Sequence, residues 1–415
     1  MQLQAVEFEK YKAFSDRQRV ELKPITLFFG HNSVGKSAAL RALPNLAAAA
    51  LAPRHDAAVP SIFDYTAPSM RGATFEDMIT RGTTRSAASQ YALEWEGLRY
   101  EFTVRYAGPL EGEFLSGFTL IDGTGSRSGV REDSDHGRNV FRIEGYSELF
   151  GFDGLLPYAL GEGALPEALM KLKKLLLDFG KQVFWLQSVR TRPPRVYQFG
   201  AGTKLQIEPD GTGAAQVLRH SSHVNDGVAD AVSKWLKQAC DCELSFADTA
   251  QNVVADRLSY PLNLRTKSGS EVSILEVGEG ISQALPVLAL CHQALRGKLG
   301  ASPILAIEQP ELHLHPRAAV QLASEIVSCV EKKSPAVHVI ETHSESILLA
   351  IQQAIVTSRL SPDQVSVYWV EQNVSASMNL VEFDDRGYPS DAWPSGIFRE
   401  NLEQARALAA LRAKS

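Results

Sequence analysis

The chain has 415 residues and little cysteine. Cys240, Cys242, Cys291 and Cys329 make no CxxC pair and no Cys/His ligand spacing, so the composition predicts reduced thiols in a cytosolic protein. Charge of one sign is also scarce. A formal net charge of −6 gives no global drive toward nucleic acid or anionic lipid, although it leaves room for a local basic surface. No apolar run reaches the roughly 18 residues that span a bilayer. The Ala-rich run 46–51 follows a polar, charged start and reads as the end of a helix, not as a signal peptide. A soluble cytoplasmic protein with no membrane partner is expected. Heptads and internal repeats are lacking too, which excludes long coiled-coil arms. What remains is an ordinary globular composition, long enough for a large core and more than one structural unit.

Within that frame the N-terminus reads as strands. Residues 3–8 partly alternate, and 24–29 (Pro-Ile-Thr-Leu-Phe-Phe) form a continuous apolar run that suits a parallel strand buried on both faces. The run ends in Gly30-His31-Asn32-Ser33-Val34-Gly35-Lys36-Ser37, followed by helix formers. Strand, glycine loop and helix together are the setting of a phosphate-binding loop. Its glycines let backbone N–H groups turn toward a polyphosphate, and the helix N-terminus adds partial positive charge. Lys36 is expected to reach the β- and γ-phosphates, and the Ser37 hydroxyl to bind Mg²⁺.

Residues 52–84 are rich in Pro, Ser, Thr and Gly and read as loop. Residues 91–121 alternate with period two, as antiparallel strands do. Residues 122–139 read as a mobile polar loop, 164–180 and 213–240 as helices, and 257–276 as strands. From 277 onward strands and helices alternate: helix 281–296, strand 303–307, helix 316–332, strand 336–341, helix 344–357 and strand 365–370. That order argues a mostly parallel sheet. A further helix is expected from about 398.

A phosphate loop needs a metal-side acid at the end of a neighbouring strand. The apolar run 303–307 leads into Glu308, and Gln309-Pro310-Glu311-Leu312-His313-Leu314-His315-Pro316 follows. The strand 336–341 ends in Thr342-His343-Ser344, where a histidine can reach the γ-phosphate or the attacking water. Upstream, Val277-Gly278-Glu279-Gly280-Ile281-Ser282-Gln283 is a second glycine turn feeding a helix, hence a second phosphate cradle. One molecule cannot easily place both cradles on one nucleotide, but two molecules facing head to tail can.

The order of these motifs resembles the ABC-type ATPase heads, in particular the branch of RecF, SMC and overcoming-lysogenization-defect (OLD) proteins. Within that branch it looks most like single-chain AAA/ABC-like ATPases of bacterial defence cassettes. Residues 9–14 (Glu-Lys-Tyr-Lys-Ala-Phe) resemble the N-terminal turn of that branch, which places Lys12 beside the nucleotide. Residues 30–37 match Walker A, 277–283 resemble the signature loop, 304–309 the Walker B strand, 310–315 the D-loop, and Thr342-His343 the switch histidine. The patches 190–195 and 391–394 resemble the defence subgroup. The resemblance implies an α/β ABC-type P-loop head, a mostly parallel sheet flanked by helices with an antiparallel β lobe and a helical insertion. It also implies ATP and Mg²⁺. Gly30, Asn32, Ser33, Gly35, Lys36 and Ser37 would hold phosphate, and Ser37 and Glu308 the metal. Gly278, Gly280 and Ser282 would meet the γ-phosphate bound by a second copy, sensed by His343. Two departures stand out. Gly278 replaces the usual signature serine, and Gln309 replaces the glutamate expected after the Walker B acid. An amide cannot accept a proton as a carboxylate does, although it can orient water, so slow turnover is expected, with Glu311 as a candidate substitute base. The Q-loop is expected within 61–81.

Three segments follow: 1–121, the first part of the head; 122–256, a mainly helical insertion; and 257–415, the rest of the head. The stretch after His343 is too short for a TOPRIM nuclease domain, and Asp384-Asp385-Arg386-Gly387 reads as a β-turn. Arg190, Arg192 and Arg195 flank two prolines and are candidates for contact with DNA or a partner. No metal other than Mg²⁺ is expected at His292, His313, His315 and His338. The function expected is a switch: an ATPase dimer, possibly a higher oligomer, controlling an effector such as a nuclease encoded nearby, in anti-phage or foreign-DNA defence. The alternative is a RecF-like ATPase that clamps DNA directly. A transporter subunit fits poorly with the long insertion and the altered signature loop.

Overall fold

A computed structural model describes residues 1–51, 61–80, 88–108, 112–132, 139–246, 253–254 and 257–394. The expected helix from about 398 lies outside them. In chain order the first elements are β1 (Leu3–Glu9), β2 (Gln18–Glu21), β3 (Ile25–Gly30), α1 (Lys36–Leu51) and the single turn α2 (Phe75–Met78). Then come β4 (Ala88–Trp95), β5 (Leu98–Gly108), β6 (Gly112–Asp122), β7 (Gly125–Arg131), β8 (Val140–Ile143), β9 (Leu149–Asp153) and β10 (Leu156–Ala159). The middle holds α3 (Glu167–Gln182), β11 (Val183–Leu186), β12 (Tyr197–Gly200), α4 (Ala214–Val224) and α5 (Val228–Cys240). Short strands follow: β13 (Cys242–Phe246), β14 (Val253–Val254), β15 (Arg257–Tyr260), β16 (Leu262–Thr266) and β17 (Glu271–Ser273). The chain continues through α6 (Glu279–Leu295), β18 (Ile304–Glu308), α7 (Pro316–Glu331), β19 (Val337–Glu341), α8 (Glu345–Val356), β20 (Val365–Gln372) and β21 (Ala376–Val381).

The central sheet runs β11-β18-β19-β3-β20-β21. Its pairs are parallel except β20–β21. This is the mostly parallel α/β sheet expected from the alternation. Both faces are covered, which explains the continuous apolar runs. Along β3, Ile25, Leu27 and Phe29 join the core beneath α4–α8, while Phe28 joins the core shared with α1, α3 and the antiparallel sheet. Each fully buried side chain of this size contributes roughly 1.5–3 kcal/mol. Since neighbouring strands end together, Glu308 of β18 and Glu341 of β19 stand opposite one another in register.

The second sheet is antiparallel, in the order β10-β9-β8-β7-β6-β5-β4-β1-β2. It begins with the strands expected over 91–121 but does not stop there. The segment 122–256 is therefore not mainly helical: β7–β10 extend this sheet to Ala159, and β11 belongs to the central sheet. Residues 122–132 were expected as loop because they lack apolar alternation. β7 holds its place by backbone pairing to both β6 and β8, with most of its side chains exposed or half-buried. The helical stretch 213–240 is two helices, divided where Asn225 adopts a left-handed conformation (φ 52°).

Candidate nucleotide site

β3 ends at Gly30, whose φ of +149° disfavours a side chain, and a Cβ there would stand 2.2 Å from the Val370 carbonyl oxygen. The loop then turns through exposed His31, Asn32 and Ser33, with Ser33 left-handed (φ 64°), and enters α1 at Lys36. Lys36 is buried, and its Nζ donates to the His31 carbonyl of its own loop. Ser37 Oγ donates to Glu341 Oε1 at 2.8 Å. Burial lowers the Lys36 pKa and raises that of Glu341, and each group's charge counteracts the other's shift.

The two strand-end carboxylates have different partners. Glu308 is pinned: its Oε1 accepts from Arg41 Nε at 2.6 Å and Trp185 Nε1 at 3.0 Å, and its Oε2 from Arg41 Nη2 at 3.0 Å. Arg71 Nη2 stands a further 3.5 Å from Oε2. Glu341 accepts from Ser37 on one oxygen, and its buried Oε2 has no partner. Sequence reading missed Arg41, Trp185 and Glu341. Arg41 sits one turn beyond Ser37 on α1, and Glu341 immediately precedes Thr342-His343, but neither position carries a motif signal of its own.

Gln309 is left-handed (φ 41°), and its N–H donates to the Glu341 carbonyl at 2.8 Å. Glu311 Oε1 accepts from Thr342 Oγ1 at 2.6 Å and from the His343 N–H at 3.1 Å, while its Oε2 is buried without a partner. Burial raises the Glu311 pKa. His343 lies against the Gly30 backbone, and burial and the nearby Lys36 charge lower its pKa, favouring the neutral imidazole. The expected Walker A, Walker B and histidine segments are thus brought together at the carboxyl ends of β3, β18 and β19.

The second glycine turn opens α6. Gly278 is its exposed N-cap residue, with nothing within 4 Å of a Cβ placed there. Gly280 is buried instead: a Cβ there would stand 2.4 Å from the His313 carbonyl oxygen, so the missing side chain lets α6 pack on the segment after β18. Ser282 Oγ donates to the Glu279 carbonyl at 2.7 Å.

Arg190 corrects the expectation of an external basic patch. Its residue exposure is 3%. Its Nη1 donates to the Gln283 carbonyl at 3.2 Å and its Nη2 to the Glu308 carbonyl at 2.9 Å. The Gln283 amide in turn accepts from the Arg190 N–H at 3.0 Å and donates to its carbonyl at 3.1 Å. Burial lowers the Arg190 pKa to about 10, which still leaves it charged at neutral pH. An arginine used internally is unavailable to DNA. Arg192 and Arg195 are exposed, and Arg192 pairs with Glu279 at 2.6 Å.

A cavity of about 490 Å³ lies beside the phosphate loop, lined by Lys12, Ala13, Ser33, Asp77, Gln372 and Ser375 among others. Lys12 and Ser33 of the loop therefore face one space. The stretch 61–81 contains no glutamine, so no Q-loop glutamine stands where one was expected. Trp393 packs edge-on against Phe29 and Trp369, behind the phosphate loop. Residues 384–387 form the expected turn, with the Gly387 N–H donating to the Asp384 carbonyl. The histidines have separate partners: His338 Nδ1 with the Pro24 carbonyl, His292 with Glu325, and His315 as the N-cap of α7. His292, Glu325 and Cys329 place one potential ligand atom each within 4.8 Å of one another, a juxtaposition not expected from the sequence.

Residues 251–350 match a family described as "AAA domain, putative AbiEii toxin, Type IV TA system". No curated protein matches. Among solved structures, the chain is similar to the SMC head domain from Thermotoga maritima, at 12% identity and a TM-score of 0.42, over 92% of this chain and 100% of that one. It is also similar to an SMC head bound to the C-terminal winged-helix domain of ScpA, at 10% identity and a TM-score of 0.47, over 92% and 98%. An SMC head with an extended coiled coil, bound to the C-terminal domain of ScpA derived from Pyrococcus furiosus, shares 10% identity at a TM-score of 0.47, over 99% of both chains. Among the described residues, no helix is long and apolar enough to cross a membrane.

Proposed function

We propose that this chain carries an AAA/ABC-type P-loop ATPase domain, binds ATP, hydrolyses it slowly, dimerises around it and acts as a switch controlling a partner effector. The observation that carries the reading is the meeting of Lys36 and Ser37 with Glu308, Glu341 and His343 at three strand ends. Lys36 and the loop's backbone N–H groups would bind the phosphates, and the cavity beside Lys12 would take the rest of the nucleotide. The donor set suits Mg²⁺, because Ser37 supplies a hydroxyl and Glu341 a buried oxygen with no other partner. When bound, the ion neutralises phosphate charge. Glu308 and Glu341 are the carboxylates at hand to hold it with Ser37.

Slow turnover follows from Gln309, whose amide orients water without taking its proton. Glu311 is the candidate base, and its bonds from Thr342 and His343 hold its carboxylate beside the switch histidine. Closure by a second copy is supported by exposed Gly278, which leaves the α6 N-terminus open to an anion. Control of a partner, in defence against foreign DNA, is carried over from the resemblance of residues 190–195 and 391–394 to the defence subgroup. The alternative, direct clamping of DNA, loses support with Arg190 buried.

Light scattering with and without ATP tests the reading. ATP is expected to convert monomer to dimer or a larger assembly, and Lys36→Ala to prevent it. Turnover of tens per second in the isolated protein would contradict the slow switch. DNA affinity that appears only with ATP and falls steeply with salt would favour the clamp.

A further inference from the structure

We propose that the carboxylate that takes the metal in this site is Glu341, and that Glu308 is held back from it by Arg41. This rests on the ATP-binding reading above and assigns the roles of its two acids. The argument is one of lone pairs. An ionised carboxylate has about four acceptor positions. Glu308 uses three of them on Arg41 and Trp185, and Arg71 approaches the fourth. The bidentate guanidinium contact is the strong, geometrically fixed kind, and it satisfies the negative charge as well as the hydrogen bonds. A cation arriving at Glu308 would meet the positive charge of Arg41 and would have to displace it.

Glu341 has the opposite character. Its residue exposure is 3%, one oxygen is within hydrogen-bond distance of the Ser37 hydroxyl, and the other is buried with no partner. A buried, unsatisfied carboxylate oxygen is costly unless something pairs with it. The Ser37 hydroxyl and the Glu341 carboxylate already adjoin, so a hard cation gains two oxygen ligands without moving an arginine. Position explains why the roles divide. β19 lies between β3 and β18, so its terminal side chain is nearer the phosphate loop than that of β18. Trp185, at the neighbouring β11 edge, holds Glu308 from the other side.

The test measures binding of a fluorescent ATP analogue with Mg²⁺ and with EDTA, together with the electron paramagnetic resonance signal of bound Mn²⁺. Wild type is expected to bind the analogue at least about tenfold more tightly with Mg²⁺. Glu341→Gln keeps an acceptor for Ser37, so it is expected to retain binding in EDTA while losing most of the Mg²⁺ gain and the bound Mn²⁺ signal. Glu308→Gln is expected to lose less of both. The reverse order, or an equal Mg²⁺ gain in wild type and Glu341→Gln, overturns the assignment. If Glu341→Gln melts below the assay temperature, Glu341→Asp replaces it: an intermediate gain supports the assignment and an unchanged gain overturns it. Failure of wild type to bind the analogue in either condition overturns the ATP-binding reading itself.

Discussion

Gln309 is a single amide in a position where a carboxylate is expected, and its consequence is chemical. The backbone there is already placed: the Gln309 N–H is bonded to the Glu341 carbonyl, and its left-handed φ turns the chain out of β18. The substitution Gln309→Glu therefore changes the side chain's chemistry with little demand on the fold. A positioned general base contributes roughly 10²–10⁴-fold. Gln309→Glu is expected to raise the rate of phosphate release by about 10²-fold or more, measured at saturating ATP. An unchanged rate would mean that Gln309 does not limit turnover. The glutamine was legible in the sequence because its neighbours spell a motif. The pinning of Glu308 was not, since Arg41 and Trp185 lie far from Glu308 in sequence and next to it only in the fold.

At the scale of elements, Arg190 ties the N-terminal turns of α6 to the end of β18. Its guanidinium bridges the Gln283 and Glu308 carbonyls, and Gln283 grips the Arg190 backbone in return. Removal of the side chain leaves two buried carbonyls to find new donors, at about 1–3 kcal/mol for each unsatisfied group. Arg190→Ala is expected to lower the melting temperature by several degrees. Arg190→Lys is expected to recover little, because an ammonium lacks the planar fork that spans both carbonyls. Thermal melts of the three proteins check this, and wild-type stability in Arg190→Ala would show that the bridge is dispensable. Sequence reading offered Arg190 as a candidate for contact with DNA or a partner because a rigid loop of arginines and prolines can grip a phosphate backbone or an acidic surface. What buries it is the convergence of β11, β18 and α6, which no local pattern encodes.

For the whole molecule, acid sensitivity follows from groups in both sheets. On the antiparallel sheet, Arg19 and Arg99 bind Glu94, chiefly Arg19, and hold its pKa down at about 2 against an ordinary 4.5. In the central sheet, burial lowers the His338 pKa to about 4 against an ordinary 6.5. Both folded pKa values lie below the unfolded ones, so the unfolded chain binds more protons as pH falls and stability declines. The His338 contribution is complete above about pH 6.5 and is lost toward 4; that of Glu94 is complete above 4.5 and is lost toward 2. Melting temperature against pH is expected to fall in two stages. His338→Gln should flatten the upper stage and Arg19→Met the lower one. A flat profile down to pH 4 would rule out the His338 contribution.

The sequence by itself determined the central sheet and the phosphate loop. Buried parallel strands must be apolar on both faces, and a phosphate cradle needs glycines and a lysine at fixed spacing, so both leave local patterns. It also placed the glycine loop, the Glu308-Gln309 segment and the Thr342-His343 segment at the ends of β3, β18 and β19. The tertiary structure decided how those ends share their contacts: Ser37 with Glu341, Arg41 with Glu308, and Arg190 turned inward between β18 and α6. It also decided that β7–β10 extend the antiparallel sheet; β7, paired on both sides, is held by its backbone and needs no apolar alternation to announce it. These are contacts between residues distant in the chain, and their physical basis is which polar group finds a partner once the strands are packed.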